Sequence, residues 1–179
     1  MDIYIAILRG INVSGKNCIK MIDLKNLFEF LDFNHITTYI QSGNVIFTSE
    51  IKNKNQIREL ISIQIEKTFS LKVPVLVLRI DDLREIISQN PFSTDKETSF
   101  IHFTFFNNQP DMQNIEIIED KKAIGEEISI TNKVAYVYCP DGYGKTKLNN
   151  NFLENKLKTV ATTRNYKTTN ELLKIAESI

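Results

Sequence analysis

The first 80 residues show a changing hydrophobic periodicity that restricts the folds open to this chain. Residues 3–8 are almost entirely apolar, as in a strand covered on both faces. Apolar residues then recur every three or four positions between Met21 and Leu31, the pattern of an amphipathic helix. Further along lie β-rich segments at 37–40 and 45–48, a helical stripe at 57–65 and a fourth strand at 73–78. This β-α-β-β-α-β order predicts a split β-α-β unit, that is, a ferredoxin-like α/β plait with an antiparallel sheet.

A short polar connection separates the second and third predicted strands. It reads Gln41-Ser42-Gly43-Asn44, and glycine and asparagine tolerate the positive φ angles that tight turns require. We therefore expect a hairpin here. Pro74 stands near the start of the fourth strand, where its missing amide donor is tolerated.

The second half of the chain repeats this order less regularly. In sequence order it contains a helix at 81–89, a strand at 100–106, a helix at 113–118, strands at 127–130 and 133–139, a helix at 149–158, a strand at 160–163 and a helix at 169–178. We predict an α+β protein of two ferredoxin-like units with antiparallel sheets. The predicted domains are residues 1–80 and residues 81–179, the second with extra terminal helices. One continuous sheet built from the same elements is the alternative.

Composition excludes several classes of protein. Of the 179 residues, 42% are hydrophobic and 25% are charged, close to the average for globular proteins. That rules out a wholly disordered chain, a collagen-like repeat and a disulfide-rich scaffold. With 22 basic and 22 acidic residues, no net charge draws the chain to nucleic acid or to an anionic membrane.

The balanced charge is unevenly distributed along the chain. Residues 1–80 have a net charge of +3, residues 81–140 of −6 and residues 141–179 of +3. If the two basic ends meet in space, they would form a positive surface beside an acidic one. Ordinary solvated faces are an equally good interpretation of charge blocks of this size.

The compartment is predicted from the N-terminal residues and the cysteines. The chain begins without a basic leader or a cleavage site, and no apolar run approaches the roughly 20 residues that span a bilayer. Cys18 and Cys139 lie far apart in sequence and are interpreted as free thiols, although one disulfide between them is an alternative. We predict a cytoplasmic protein that does not associate with membranes.

One segment resembles a phosphate-binding P-loop but lacks part of the motif. Residues 137–146 form a predicted strand and a loop that ends in Gly-Lys-Thr. The motif requires glycine where Cys139 stands, and the preceding hairpin predicts an antiparallel sheet instead of a parallel one. We interpret the segment as a turn before a helix, with a weak anion site at that helix start as an intermediate hypothesis.

Familiar catalytic arrangements are not identifiable. Ser42 lacks the glycine two positions earlier that a nucleophile elbow requires. His35 and His102 are the only histidines and cannot form a metal site alone. Cys18 has no recognisable partner base. We therefore predict no metal and assign neither a cofactor nor a catalytic residue.

Four polar loops remain as candidate binding elements, at residues 9–17, 41–44, 141–147 and 162–165. They supply Arg, Lys, Asn, Gln and hydroxyl groups, which hydrogen-bond phosphate or carboxylate, and most contain glycine, which lets backbone amides approach a ligand. The same residue types also form turns for their backbone preferences alone. Arg9 is the exception, because a turn does not require arginine.

These loops carry a resemblance to a known family. The segments LRGINVSGKN at 8–17, TYIQSGNVIF at 38–47 and YGKTKLNNNFLENKLKTVATTRNYKT at 143–168 resemble the bacterial family called domain of unknown function 1697. The chain departs from the family at Ser14, where glycine is usual, at Lys145-Thr146, where Arg-Ser is usual, and at Tyr166, where Trp is usual. The resemblance implies two α/β-plait domains and brings no established activity. The positions matching the family's polar core are Arg9, Asn12, Lys16, Gln41, Ser42, Asn44, Lys147, Arg164 and Asn165.

The favoured hypothesis is a binding protein whose polar loops hold an anionic ligand, either a nucleotide-like small molecule or RNA. RNA is the weaker version, because the strands lack the dense aromatic motif of an RNA-recognition domain. One alternative is an enzyme acting on a phosphorylated or carboxylated metabolite in a cleft between the domains, with Lys16 or Lys147 holding the anion and Asp141 as acid or base. Another is a homodimer that uses a sheet face for assembly.

Overall fold

A computed structural model of the chain describes residues 1–92 and 94–179. The described residues contain eight strands: β1 (Asp2–Leu8), β2 (Asn34–Tyr39), β3 (Asn44–Ser49), β4 (Val75–Arg79), β5 (Ile101–Phe106), β6 (Glu127–Ile130), β7 (Val134–Tyr138) and β8 (Ala161–Asn165). They also contain six α-helices: α1 (Met21–Phe30), α2 (Lys54–Phe69), α3 (Ile80–Ser88), α4 (Ile115–Glu119), α5 (Asn150–Leu157) and α6 (Tyr166–Glu177). Short 3-10 turns precede β5 and α4.

The two sheets share one topology. The first has the order β2-β3-β1-β4 and the second β6-β7-β5-β8, so in each sheet the second, third, first and fourth strands lie side by side. Every strand pairing is antiparallel. This is the ferredoxin-like order, and it confirms the prediction of an α+β protein built from two plaits and excludes one continuous sheet.

The chain divides into two compact units. Unit 1 comprises Met1–Arg84 together with Leu172–Ile179, and unit 2 comprises Glu85–Glu171. The final residues of α6 therefore group with the first plait, which the sequence pattern did not indicate. The predicted division of the chain after residue 80 into separate folding domains stays a prediction.

The core of unit 1 packs helices against an aromatic cluster on one face of its sheet. The rings of Phe28, Phe33 and Phe47 lie with centroids 4.6 to 5.8 Å apart, and Tyr4 stacks on Phe47 at 5.8 Å. Residues 4–8 of β1 are all fully buried, so both faces of this central strand are covered. That explains its continuous apolar sequence.

In unit 2 the buried residues again occupy both faces of the central strand. Phe103 and Phe105 point to one face and Phe106 to the other, and all three are buried. Phe106 belongs to a cluster with Leu153 and Leu157 of α5. On the opposite face the Tyr136 hydroxyl donates a hydrogen bond of 2.8 Å to the carbonyl of Ile86, and burial raises the pKa of Tyr136 to about 12.

Among the described helices, none has the length and hydropathy needed to cross a membrane.

Candidate functional site

Two polar loops of unit 1 meet at the end of the sheet where β1 finishes. We call residues 9–17 and 40–43 together the loop cluster. The backbone N–H of Leu8, the last residue of β1, donates to the carbonyl of Gly43 at 2.8 Å. The N–H of Arg9 donates to the carbonyl of Pro74 beside β4 at 3.0 Å. The sheet thus brings the loop after β1 against the turn between β2 and β3.

Asn12 joins the two loops through its side chain. Its Nδ2 donates to the carbonyl of Gln41 at 2.8 Å and to the carbonyl of Ile19 at 2.9 Å. Its Oδ1 accepts the N–H of Ile19 at 2.9 Å. Asn12 also has a φ of 55°, in the left-handed region that asparagine tolerates better than most residues. Both ends of this amide are committed to the backbone, so Asn12 positions the loops.

The turn between β2 and β3 is shaped by two further predicted site residues. Asn44 is fully buried, and its Nδ2 donates to the carbonyl of Tyr39 and to Oγ of Ser42, both at 3.0 Å. Gly43 between them has a φ of +77°. The sequence predicted this hairpin, and the structure confirms it with β2 ending at Tyr39 and β3 beginning at Asn44.

Three predicted site residues of the loop cluster remain accessible to a ligand. Lys16 and Gln41 are exposed and Arg9 is half-buried. Within the described residues, Lys16 takes part in no ion pair, and residues 9–20 contain three basic side chains and no acidic one. Neutralising acidic groups are therefore missing from this stretch of sequence.

The backbone of residues 10–17 has positive φ angles at several positions. The residues of this stretch that have positive φ are Gly10, Asn12, Ser14, Gly15 and Asn17. Ser14, where the resembling family usually has glycine, has a φ of 50°, so the departure replaces glycine at a position with left-handed geometry. Two backbone N–H groups of this stretch donate within the loop itself, that of Asn12 to the carbonyl of Asn17 at 3.2 Å and that of Lys16 to the carbonyl of Val13 at 2.9 Å.

Unit 2 contains a polar cluster that our sequence reasoning missed. We call Thr104, Tyr143, Asn150 and Thr163 the hydroxyl cluster. Oγ1 of Thr163 lies 2.8 Å from Oγ1 of Thr104 and 3.0 Å from the hydroxyl of Tyr143, and it donates to Oδ1 of Asn150 at 2.6 Å. Its members come from β5, β8, α5 and the loop after β7, so the cluster anchors that loop to the sheet.

His102 extends the hydroxyl cluster. Its ring stacks on Tyr143 with centroids 4.7 Å apart, and Nδ1 lies 3.2 Å from the carbonyl of Phe100. His102 and Thr104 alternate on β5 opposite Asn165 and Thr163 on β8. This alternation of polar residues on two strands was the available sequence signal, and the predicted plait makes the two strands neighbours, but the sequence did not give the register that pairs these residues.

Burial lowers the pKa of His102 below its ordinary value, which leads to a testable dependence of stability on pH. The unfolded chain binds a proton at this imidazole near its usual pKa of about 6.5, whereas the folded chain does so only at lower pH. We therefore expect the free energy of unfolding to fall as pH decreases below about 6.5. Urea denaturation between pH 7 and pH 5 measures this loss. The variant His102→Gln should show a shallower loss than the wild-type protein, and identical slopes would contradict the assignment.

The predicted site residues of unit 2 differ from one another in exposure and in hydrogen bonding. Lys147 is exposed in the loop after β7. Arg164 is half-buried, its Nη1 donates to the carbonyl of Thr163 at 3.0 Å, and burial lowers its pKa to about 10, so its charge persists at neutral pH. Asn165 accepts the N–H of Thr168 at 2.8 Å and so caps the first turn of α6.

The predicted site residues of the two units lie at opposite ends of the corresponding central strands, β1 and β5. Those of unit 1 lie where β1 finishes. Those of unit 2 lie where β5 begins, because Phe103 pairs with Arg164 and His102 with Asn165. Arg9, Asn12, Lys16, Gln41, Ser42 and Asn44 come together in unit 1, whereas Lys147, Arg164 and Asn165 belong to unit 2.

The Gly-Lys-Thr segment has a geometry different from that of a P-loop. Oγ1 of Thr146 accepts the N–H of Leu148 at 3.0 Å, and Thr146 is buried. Helix α5 starts only at Asn150, and β7 is antiparallel to both neighbours.

Burial raises the pKa of the Cys139 thiol to about 11. Across the described residues, no three His, Cys, Asp or Glu side chains group as a metal site would require.

Comparisons with known proteins agree with this fold. The family described as "Protein of unknown function (DUF1697)" matches residues 1–136 of the chain. The structure is similar to that of the conserved bacterial protein SP0830 from Streptococcus pneumoniae, with a TM-score of 0.76, 23% sequence identity and coverage of 98% of each chain. No curated protein matches the chain.

Proposed function

The chain belongs to the DUF1697 family of proteins of unknown function, and we propose that its first unit binds a small anionic ligand at the loop cluster. One observation carries the proposal: exposed Lys16 and Gln41 extend from two loops that Asn12 ties together. A preorganised pair of loops binds a ligand without the entropy cost of ordering them first.

The electrostatics of the loop cluster favour an anion. Arg9, Lys16 and Lys20 supply positive charge in a stretch without acidic side chains. Helix α1 begins directly after Lys20, but Asp23 in its first turn offsets the partial positive charge of its N-terminus, so the basic side chains supply the attraction. Arginine and lysine bind phosphate or carboxylate through charge-assisted hydrogen bonds, and the Gln41 amide adds a neutral donor.

The fold supports a small molecule over RNA. RNA-recognition domains of the plait topology stack bases on exposed aromatic residues of the sheet. Here the central strands β1 and β5 are buried on both faces. Tyr143 stacks on His102, and Tyr138 lies within ring contact of Phe92 and Phe100. These tyrosines are engaged within unit 2, which favours the nucleotide-like or metabolite version of the hypothesis.

The remaining predicted residues take supporting or separate parts in the proposal. We assign ligand contact to Arg9, Lys16 and Gln41, and positioning of the loops to Asn12, Ser42 and Asn44. Contact of a ligand with Lys147, Arg164 or Asn165 stays a prediction for unit 2. An enzyme acting on a phosphorylated or carboxylated metabolite and a homodimer stay alternatives.

Removing the charge of Lys16 should weaken anion binding at least tenfold, because one charge-assisted hydrogen bond contributes about 1.5 to 3 kcal/mol. Isothermal titration with inorganic phosphate, adenosine monophosphate, a sugar phosphate and acetate compares the wild-type protein with Lys16→Ala. The matched control is Lys67→Ala, which removes an exposed lysine of unit 1 from α2. Equal losses in both variants would indicate diffuse charge attraction, and absence of binding by all four probes would contradict the proposal.

A further inference from the structure

Two aliphatic side chains of the loop cluster are exposed to solvent. Val13 is 57% exposed and Ile40 is 48% exposed. Ile40 also has a φ of 49°, in the left-handed region. Side chains branched at Cβ are genuine outliers there, because Cβ crowds the backbone.

Folding alone does not account for isoleucine at position 40. Half of its side chain stays in water, so burial stabilises it only in part, and its backbone conformation favours glycine or asparagine instead. A residue that is both strained and apolar at a solvent-exposed turn is a candidate for contact with a ligand.

Both aliphatic residues flank the hydrogen bond that joins the loops. Val13 directly follows Asn12, and Ile40 directly precedes Gln41, whose carbonyl accepts from Asn12. The carbonyl of Val13 also accepts the N–H of Lys16 at 2.9 Å. The apolar groups therefore lie in the same short segments as the polar groups assigned to anion binding.

We propose that the ligand of the loop cluster is an amphiphilic organic anion. Its phosphate or carboxylate group binds Lys16 and Gln41, and its apolar body, a ring or an alkyl chain, contacts Val13 and Ile40. This inference rests on the proposed function, since it names the class of ligand for the same site. An apolar body in contact with exposed aliphatic side chains gains affinity from the water-accessible area that it covers.

A matched pair of probes separates the anionic group from the apolar body. Phenyl phosphate and inorganic phosphate share the anion, and only the first has a ring. Isothermal titration should give at least tenfold tighter binding for phenyl phosphate. Octanoate and acetate repeat the comparison for a carboxylate, and the tighter binder of the two small anions, inorganic phosphate or acetate, identifies the anionic group.

Variants then locate the apolar contact. In Val13→Ser/Ile40→Asn the advantage of phenyl phosphate over inorganic phosphate should disappear, while affinity for inorganic phosphate stays unchanged. Asparagine tolerates the left-handed conformation, so this variant is expected to fold, and its thermal unfolding checks that. The control is Ile63→Asn, which changes an aliphatic residue of α2 that is 51% exposed.

The outcomes distinguish this inference from the proposed function. Equal affinities for phenyl phosphate and inorganic phosphate would overturn the inference and leave anion binding in place. Loss of inorganic phosphate binding in Val13→Ser/Ile40→Asn would also overturn it, because the two side chains would then only shape the loops. Binding of phenyl phosphate alone, abolished in Lys16→Ala, would support both. If no probe binds, the proposed function is contradicted, and the inference that rests on it is overturned with it.

Discussion

Replacing Gly43 with alanine is expected to destabilise unit 1 by about 2 to 5 kcal/mol. Two effects add. The left-handed φ of +77° costs an L-residue about 1 to 2 kcal/mol. The new Cβ would also lie 2.5 Å from Cδ1 of Ile11 and 2.9 Å from Cβ of Leu8, and overpacking of this kind costs about 1 to 3 kcal/mol. The end of the Ile11 side chain can rotate, but the Leu8 Cβ can move only with the backbone of β1.

Gly10→Ala is the matched control for this substitution. Gly10 has a similar φ of +70°, but no heavy atom lies within 4 Å of the added Cβ. Urea denaturation should therefore show about 1 to 2 kcal/mol of destabilisation for Gly10→Ala and more for Gly43→Ala. Because Gly43 holds the turn against the loop after β1, Gly43→Ala should also weaken anion binding. Equal destabilisation in the two variants would mean that the close contact with Leu8 and Ile11 is absent.

Replacing Thr163 with valine is expected to destabilise unit 2 by about 1 to 3 kcal/mol. Valine has a similar shape but no hydroxyl, so Thr104, Tyr143 and Asn150 each lose a hydrogen-bond partner. Thr104 is fully buried, and a polar group left unsatisfied where water cannot reach costs about 1 to 3 kcal/mol, whereas the half-buried Tyr143 and Asn150 can bind water instead.

Thr163→Ser keeps the hydroxyl and loses only a methyl group. It should retain most of the stability, so the difference between serine and valine isolates the hydrogen bonds. Urea denaturation, followed by tyrosine fluorescence, measures the free energy of unfolding of both variants. A smaller loss in Thr163→Val than in Thr163→Ser would assign the effect of Thr163 to packing of its methyl group.

The plait topology could be read from the sequence because strand and helix periodicities are local. The apolar run at residues 3–8 predicted a strand covered on both faces, and the structure confirms it with residues 4–8 fully buried. The helical stripe from Met21 to Leu31 became α1, and the turn at residues 41–44 became the predicted hairpin. Each of these signals needs only neighbouring residues and their spacing.

The candidate site was predicted less completely. The family resemblance indicated two loops that the structure brings together at the end of β1, and their role in binding stays a prediction. Lys16 and Gln41 in these loops are exposed, as contact with a ligand would require. Asn12 and Asn44, named with them, hold the backbone instead. A polar residue in a loop serves either purpose, and only its hydrogen-bond partners distinguish the two.

By itself, the sequence determined the order of elements, the two plaits and the segments that form polar loops, because these depend on local periodicity and turn chemistry. Only the tertiary structure decided which loops meet and which side chains bind backbone. Asn12 reaches Gln41 across 29 positions, and Thr104 reaches Thr163 across 59. Such pairs depend on strand register and on loop conformation, which arise when the whole sheet packs and therefore leave no signal in neighbouring residues.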